Sequence, residues 1–398
     1  MVDVWLPYGS SEIPARIPEE RLIHILKPEN VDTPLDAAAE AKRIFESNRS
    51  LLDTAGKANR VCIALGASRS RQILTNLTLT LVQTLTELGA TQNEIVILET
   101  PDSPELDRNV FAGFEMIRHT SASSPRVRPE AFRTDFSANL NSIFTQAGLK
   151  ILLGEVRPHH FLGVSGLCDI VCPGLTFESS TKASLSGKLQ GASDIYRDRV
   201  EIAKSLKVLA LGFVLDGELE PAKLSFGEIT QCLAELRETS ERLSTRKVEK
   251  AADIVVMSAG GSPIDESLLR SVETLPAALA AVKRGGTIIV AAECAKGHGD
   301  EDFYEWSAEH KEPRYLEARL RHKFSYSGFK AAFLLRALEA HRIYLVSTIP
   351  DHYVENIFGL RAARTVNSAL QSVQRSLGSN STVSAIPDGS VVLPQKLE

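Results

Sequence analysis

The sequence predicts an α/β protein of two domains, each built on a Rossmann-like parallel sheet. Three observations predict it. Apolar runs of strand length alternate with segments whose apolar residues recur every three or four positions. At 398 residues the chain exceeds the roughly 250–300 at which a single core stops growing. The alternation of strand and helix starts again after residue 251, which places helices on both faces of two separate sheets.

The elements follow in order. Residues 60–65 and 94–98 read as buried strands. Between them Ile73, Leu77, Leu81, Leu85 and Leu88 mark one helical face, and Gly89 stands where a C-terminal cap belongs. That is a right-handed crossover unit of a parallel sheet. Further strands are expected at 149–156 and 207–215. The charged stretch 235–250 has helix-forming composition and little apolar face at its end, and it is read as a connector. The second domain opens with a strand at 252–258 and a turn through Pro263. A helix over 265–283 and strands at 285–292 and 341–347 follow, and residues 383–394 read as a short strand and turn. The expected division is 1–245 and 251–377, with the C-terminal strand at about 378–398 returning to the first domain. No internal repeat or low-complexity segment is present.

Composition narrows the function classes. Hydrophobic residues at 43%, charged residues at 24% and a net charge of −5 are ordinary for a soluble globular chain. The charge argues against a polyanion binder, and no basic arm serves nucleic acid. No apolar run approaches the roughly 18 residues of a membrane span. Met1-Val-Asp-Val-Trp-Leu-Pro lacks the pattern of a signal peptide, and the five cysteines do not make a disulfide framework. A cytoplasmic protein with a small-molecule partner is expected, without nucleic acid or membrane.

Candidate chemistry concentrates in Gly154-Glu-Val-Arg-Pro-His-His-Phe-Leu-Gly-Val-Ser-Gly166, where a strand empties into a turn. Glycine lets backbone approach a ligand, and loops at strand ends carry chemistry more often than core segments do. His159 lies in that turn, beside His160. Gly66-Ala-Ser-Arg-Ser-Arg71 follows a strand and opens a helix. Either it is a capped helix start with solvated arginines, or its free N–H groups, with Arg69 and Arg71 adding charge, hold a phosphate or carboxylate. His159, His160, Cys168 and Cys172 fit no standard zinc spacing; the cysteines read as buried small hydrophobes, and no metal ligand is assigned. The loop 293–302 mixes histidine with carboxylates and reads as a polar turn.

The stretch 154–166 resembles the signature of the nickel-pincer nucleotide-dependent lactate racemases, Gly-x-Val-Glu-Pro-His followed by Phe-Ala-Gly-x-Ser-Gly-Gly. Trp5-Leu-Pro-Tyr-Gly9, Ser262-Pro-Ile-Asp265, Arg284-Gly-Gly-Thr-Ile-Ile-Val-Ala-Ala-Glu-Cys294 and Ala385-Ile-Pro-Asp-Gly389 extend the likeness along nearly the whole chain. The resemblance implies two α/β domains with a cleft between them, inversion at the hydroxyl-bearing carbon of 2-hydroxy acids, and hydride acceptance by nickel held in a nicotinic-acid-derived nucleotide. It implies His159 as one acid/base residue, and Ser68, Arg69, Gly163, Ser165, Gly166, Pro173 and Gly174 as cofactor-binding positions.

The chain departs from that pattern at several places. Ser103 stands where the second acid/base histidine would be, and Asp169 replaces the tethering lysine. Ala183-Ser-Leu-Ser186 lacks the nickel-binding histidine, and Leu269-Arg-Ser-Val-Glu273 replaces Tyr-Gln-x-x-Lys. The departures predict a diverged member that binds a small anionic ligand or nucleotide without ordinary lactate racemisation. The alternatives are an active racemase or epimerase of another 2-hydroxy acid, and a non-enzymatic partner of an active paralogue. No covalent cofactor tether is expected, and the cofactor itself stays open.

Overall fold

The computed structural model describes residues 1–53, 55–120, 126–127, 139–177, 186–187, 192–309, 312–378 and 380–396. Two six-stranded sheets carry the fold. The first runs, in spatial order, Pro221–Glu228, Leu209–Leu215, Leu149–Glu155, Val61–Leu65, Ile95–Glu99 and Glu115–Arg118. It is parallel throughout except for the antiparallel edge strand Pro221–Glu228. Its middle strands are continuous apolar runs because both faces are covered. Along Val61–Leu65 the period of two sends Cys62 and Ala64 into one core and Val61, Ile63 and Leu65 into the other. The helix Arg71–Glu87 buries Leu74, Leu77, Leu81 and Leu85 against that sheet, and Gly89 takes a φ of +98° just past its end.

The second sheet is wholly parallel, in the order Arg361–Ala362, Arg342–Val346, Val282–Ala291, Ala252–Ser258, Val383–Ile386 and Leu22–Ile25. Chain path differs here from expectation. The C-terminal strand does not join the first sheet. All four residues of Val383–Ile386 are buried, so the strand needs neighbours on both sides, and it finds them in Ala252–Ser258 and Leu22–Ile25. Only the last strand, Leu393–Lys396, turns back, to pair with Thr245–Val248. The start of the chain also packs with the second sheet. Its hairpin, Val2–Tyr8 with Ser11–Ile17, buries Val4, Leu6, Ala15 and Ile17 in one core with Ile254, Val256 and Ile289.

The expected connector at 235–250 is a packed element. The helix Ile229–Ser244 buries Ile229, Cys232, Leu233, Leu236 and Leu243, a stripe that the charged residues between them conceal in the sequence. Expected helix 265–283 breaks into Leu268–Ser271, a tighter turn Val272–Thr274, and Leu275–Ala281. No helix among the described residues is long and apolar enough to cross a membrane.

Three of the sequence motifs meet at one buried carboxylate. Asp265, fully buried, accepts from the backbone N–H of Gly9 at 2.7 Å and of Glu293 at 3.0 Å. The motif at 262–265 therefore clamps the opening hairpin to the glycine-rich strand end.

Candidate functional site

The strand ends of the first domain face the turn Leu268–Thr274 and the helix Tyr326–Ala340 of the second across a cleft of ≈ 260 Å³. His159 lines it. The strand Leu149–Glu155 leads into a short hairpin, Arg157–His159 against Gly163–Ser165. Gly163 closes the hairpin with a φ of +85°. Gly166 has a φ of +138°, and a Cβ there would lie 2.5 Å from the carbonyl oxygen of Glu155. Only glycine lets the chain leave the hairpin that way.

Both nitrogens of His159 are engaged. Nδ1 accepts the backbone N–H groups of Phe161 and Leu162 at 3.2 and 3.3 Å. That leaves the ring proton on Nε2, which lies 3.2 Å from the Glu273 carboxylate of the other domain. Glu273 also holds Lys330 at 2.5 Å. Burial alone would raise the Glu273 carboxyl, but Lys330 and His159 outweigh it and hold the group well below the usual range. The neighbouring His160 donates Nε2–H to the carbonyl of Gly389 at 2.8 Å. Burial lowers its pKa, which keeps it neutral.

Arg270 and Glu273 stand three residues apart on the same helical turn, so both reach the first domain. Arg270 grips Asp102 with two parallel hydrogen bonds of 2.9 and 3.0 Å. Together the pairs His159–Glu273, Asp102–Arg270 and His160–Gly389 tie the walls of the cleft to one another.

The other expected residues divide. Ser165, Gly166, Pro173 and Gly174 line the cleft beside His159. Gly163 does not; it shapes the hairpin. Ser68 hydrogen-bonds within its own turn, to Ser70. Arg69 departs from the anion-site reading. Its Nε donates to Glu155 at 2.7 Å and its Nη2 to the carbonyl of Leu215 at 3.1 Å. Glu155 is 2% exposed, so it takes up the arginine's charge inside the sheet end. The helix start is capped by Ser70, whose side chain accepts from Ile73.

The departures from the family pattern have structural reasons. Ser103 is buried, donates to the carbonyl of Thr100 at 2.9 Å, and does not line the cleft. Asp169 accepts from Ser165 Oγ at 2.7 Å, the Gly166 N–H at 2.9 Å and Arg199 at 2.5 Å. The expected nickel position, Ser184–Leu185, lies outside the described residues. Cys168 and Cys172 sit in the first domain's core, where burial pushes the Cys168 thiol up. Among the described residues no group of three or more His, Cys, Asp or Glu side chains is placed to hold a metal ion.

Sequence reasoning missed Arg157, Arg199, Arg270, Tyr326 and Lys330, all lining the cleft. For Lys330 a signal existed: it is the one charged residue between positions 324 and 335. Arg199 had none, being one of several charges on the helix Ala192–Ser205.

Comparison with known proteins now bears on this geometry. The model of the lactate racemase N-terminal domain matches residues 8–184, and that of the lactate racemase C-terminal domain matches 247–393. A lactate racemase of Thermoanaerobacterium thermosaccharolyticum is 26% identical, with both chains covered in full. A lactate racemase of Lactiplantibacillus plantarum is 26% identical over 69% of this chain and 68% of its own. The solved lactate racemase apoprotein of T. thermosaccharolyticum superposes with a TM-score of 0.76 at 25% identity, covering 99% of this chain and all of its own. A Thermotoga maritima structure with a TM-score of 0.64 and 15% identity, covering 90% of this chain and 98% of its own, shares the fold. With both domains matched in order and the likeness running from end to end, this chain belongs to the lactate racemase family.

Proposed function

We propose that this family member holds a small anionic ligand reversibly in its interdomain cleft and does not carry out ordinary lactate racemisation. One observation carries the reading: both ring nitrogens of His159 are engaged within the protein. A base must present a free lone pair to the proton it takes, and the available one on Nδ1 is spent on backbone N–H groups. The second proton carrier is also absent from the cleft, since Ser103 is turned to Thr100.

The residues present do not fit the nickel-pincer nucleotide as the resemblance describes it. A carboxylate cannot form the lysine's amide-type bond, and Asp169 is committed to Arg199, Ser165 and Gly166. The serine and leucine at 184–185 offer nickel no donor comparable to imidazole.

A second reading, an epimerase of another 2-hydroxy acid, draws on Lys330 and Tyr326, buried groups at the cleft that carry protons. Turnover of such an acid, lost in Lys330→Met, would favour it.

The ligand half of the proposal is tested by thermal shift with glycolate, lactate, inorganic phosphate and a nucleoside monophosphate. An anion that binds the folded state stabilises it by about 2.7 kcal/mol at a hundredfold excess over its dissociation constant. At least one of these anions is expected to raise the melting temperature in a saturable way. A flat response to all of them contradicts the reading.

A further inference from the structure

The cleft is balanced but for one charge. Each of its four lining carboxylates already has a cation: Asp102 has Arg270, Glu155 has Arg69, Asp169 has Arg199 and Glu273 has Lys330. Arg157 is left over. It lines the cleft two residues before His159, and its side chain makes no ion pair or hydrogen bond among the described residues, although its charge acts on Asp102 from a distance.

Two buried donors at the same cleft also lack acceptors. The Tyr326 hydroxyl and the Arg199 Nε–H are shielded from solvent and have no partner in good hydrogen-bond geometry, although the Glu273 carboxylate lies close to the hydroxyl. Tyr326 is 4% exposed and Arg199 is 7% exposed. The ring of Tyr326 is held in an apolar cluster with Leu162, Ile195 and Phe324, and the residue lines the cleft. Buried tyrosine hydroxyls and arginine N–H groups normally have partners, because leaving them unpaired costs the desolvation of the group. Tyr326 lies near enough to Arg199 and Glu273 for both to act on its ionisation. Burial and then Glu273 push its pKa well above the usual value, so the phenol keeps its O–H.

We propose that Arg157, Arg199 and Tyr326 form an oxyanion subsite, which receives a carboxylate or phosphate group of the ligand. Arg199 comes from the first domain and Tyr326 from the second, so the ligand's oxyanion bridges the cleft. Arg157 supplies the uncompensated charge, and the two orphan donors supply direction. The inference rests on the anion reading above and adds where the anion sits and what selects it.

Titration calorimetry on the full chain tests it, with glycolate and inorganic phosphate as probes of the two chemistries. The variants are Arg157→Gln, Tyr326→Phe and Arg199→Lys; the last keeps a cation for Asp169 and removes the Nε–H. For whichever probe binds wild type, Arg157→Gln is expected to weaken affinity roughly tenfold or more, as for a lost charged hydrogen bond. Tyr326→Phe and Arg199→Lys are expected to weaken it several-fold, while the melting temperature of the ligand-free Tyr326→Phe protein stays level or rises. Binding of glycolate lost in the variants assigns a small carboxylic acid, and binding of phosphate lost in them assigns a phosphate ester. Wild-type binding that the three variants leave unchanged overturns the subsite alone, with Tyr326 then served by water. No binding of either probe to wild type overturns the subsite and the anion reading together.

Discussion

Replacing Glu273 with leucine is expected to cost about 3–5 kcal/mol of stability, because it strands the Lys330 ammonium in the interior without a counterion. Lys330 is 5% exposed and its only ion pair among the described residues is the one to Glu273, at 2.5 Å. The loss should itself depend on pH. Burial already lowers the pKa of Lys330, and Glu273 opposes that fall; without the carboxylate the amine is pushed further toward its neutral form. A lysine whose folded pKa lies below its unfolded value contributes stability above the unfolded pKa and loses it as pH falls through the folded one. The single variant should therefore recover stability toward alkaline pH. The double variant Glu273→Leu/Lys330→Met should restore most of the loss, since an apolar pair can replace a buried ion pair at little cost. Urea denaturation of the four proteins gives the coupling. A Glu273→Leu protein within about 1 kcal/mol of wild type, as for an exposed pair, contradicts this account of the cleft.

Arg69→Met is expected to destabilise by a similar amount, about 3–5 kcal/mol, by leaving Glu155 ionised and unpaired. The glutamate is 2% exposed and receives both the Arg69 Nε–H and the Arg69 backbone N–H at 2.7 Å. Arg69 also reaches the carbonyl of Leu215, so it joins the ends of three neighbouring segments of the sheet. The companion change Glu155→Gln removes the stranded charge and should return much of the stability. The readout separates this role from the anion-binding role that the sequence suggests for Arg69. A binding residue would cost affinity for glycolate or phosphate and leave the urea midpoint in place. The structural role moves the midpoint first.

Much of the fold is legible in the sequence because its middle strands are covered on both faces. Val61–Leu65 is apolar from end to end and Ala252–Ser258 holds the apolar run Ile254 to Met257, and length and flanking turns then separate strand from helix. What stays hidden is which strand lies beside which. Val383–Ile386 reads as a strand, yet its place next to Ala252–Ser258 depends on pairing across more than a hundred residues, which no local pattern encodes. The opening hairpin escapes for a different reason: Pro7 and Pro14 interrupt a pattern that pairs regularly in the structure.

The site was legible only where motif and backbone geometry coincide. The turn through Gly163 and Gly166 announces itself because glycine is needed there. Charges are harder. Read alone, Glu273 reverses the sign of a cleft position; in the structure Lys330, from another helix, returns the positive charge. Arg69 looks like an anion ligand until Glu155 is seen beside it. A residue's charge predicts its role only once its partner is known, and the partners here lie 57 to 86 positions away.

The most direct measurement is chiral chromatography of L-lactate incubated with this protein, made in cells that synthesise the pincer nucleotide. The lactate racemase of T. thermosaccharolyticum prepared in the same cells serves as the positive control. With His159 committed to Glu273 and to its own turn, and Asp169 to Arg199, the prediction is that L-lactate stays L-lactate while the control carries it toward an equal mixture. Conversion toward that mixture by this protein, abolished by His159→Ala, would contradict the account.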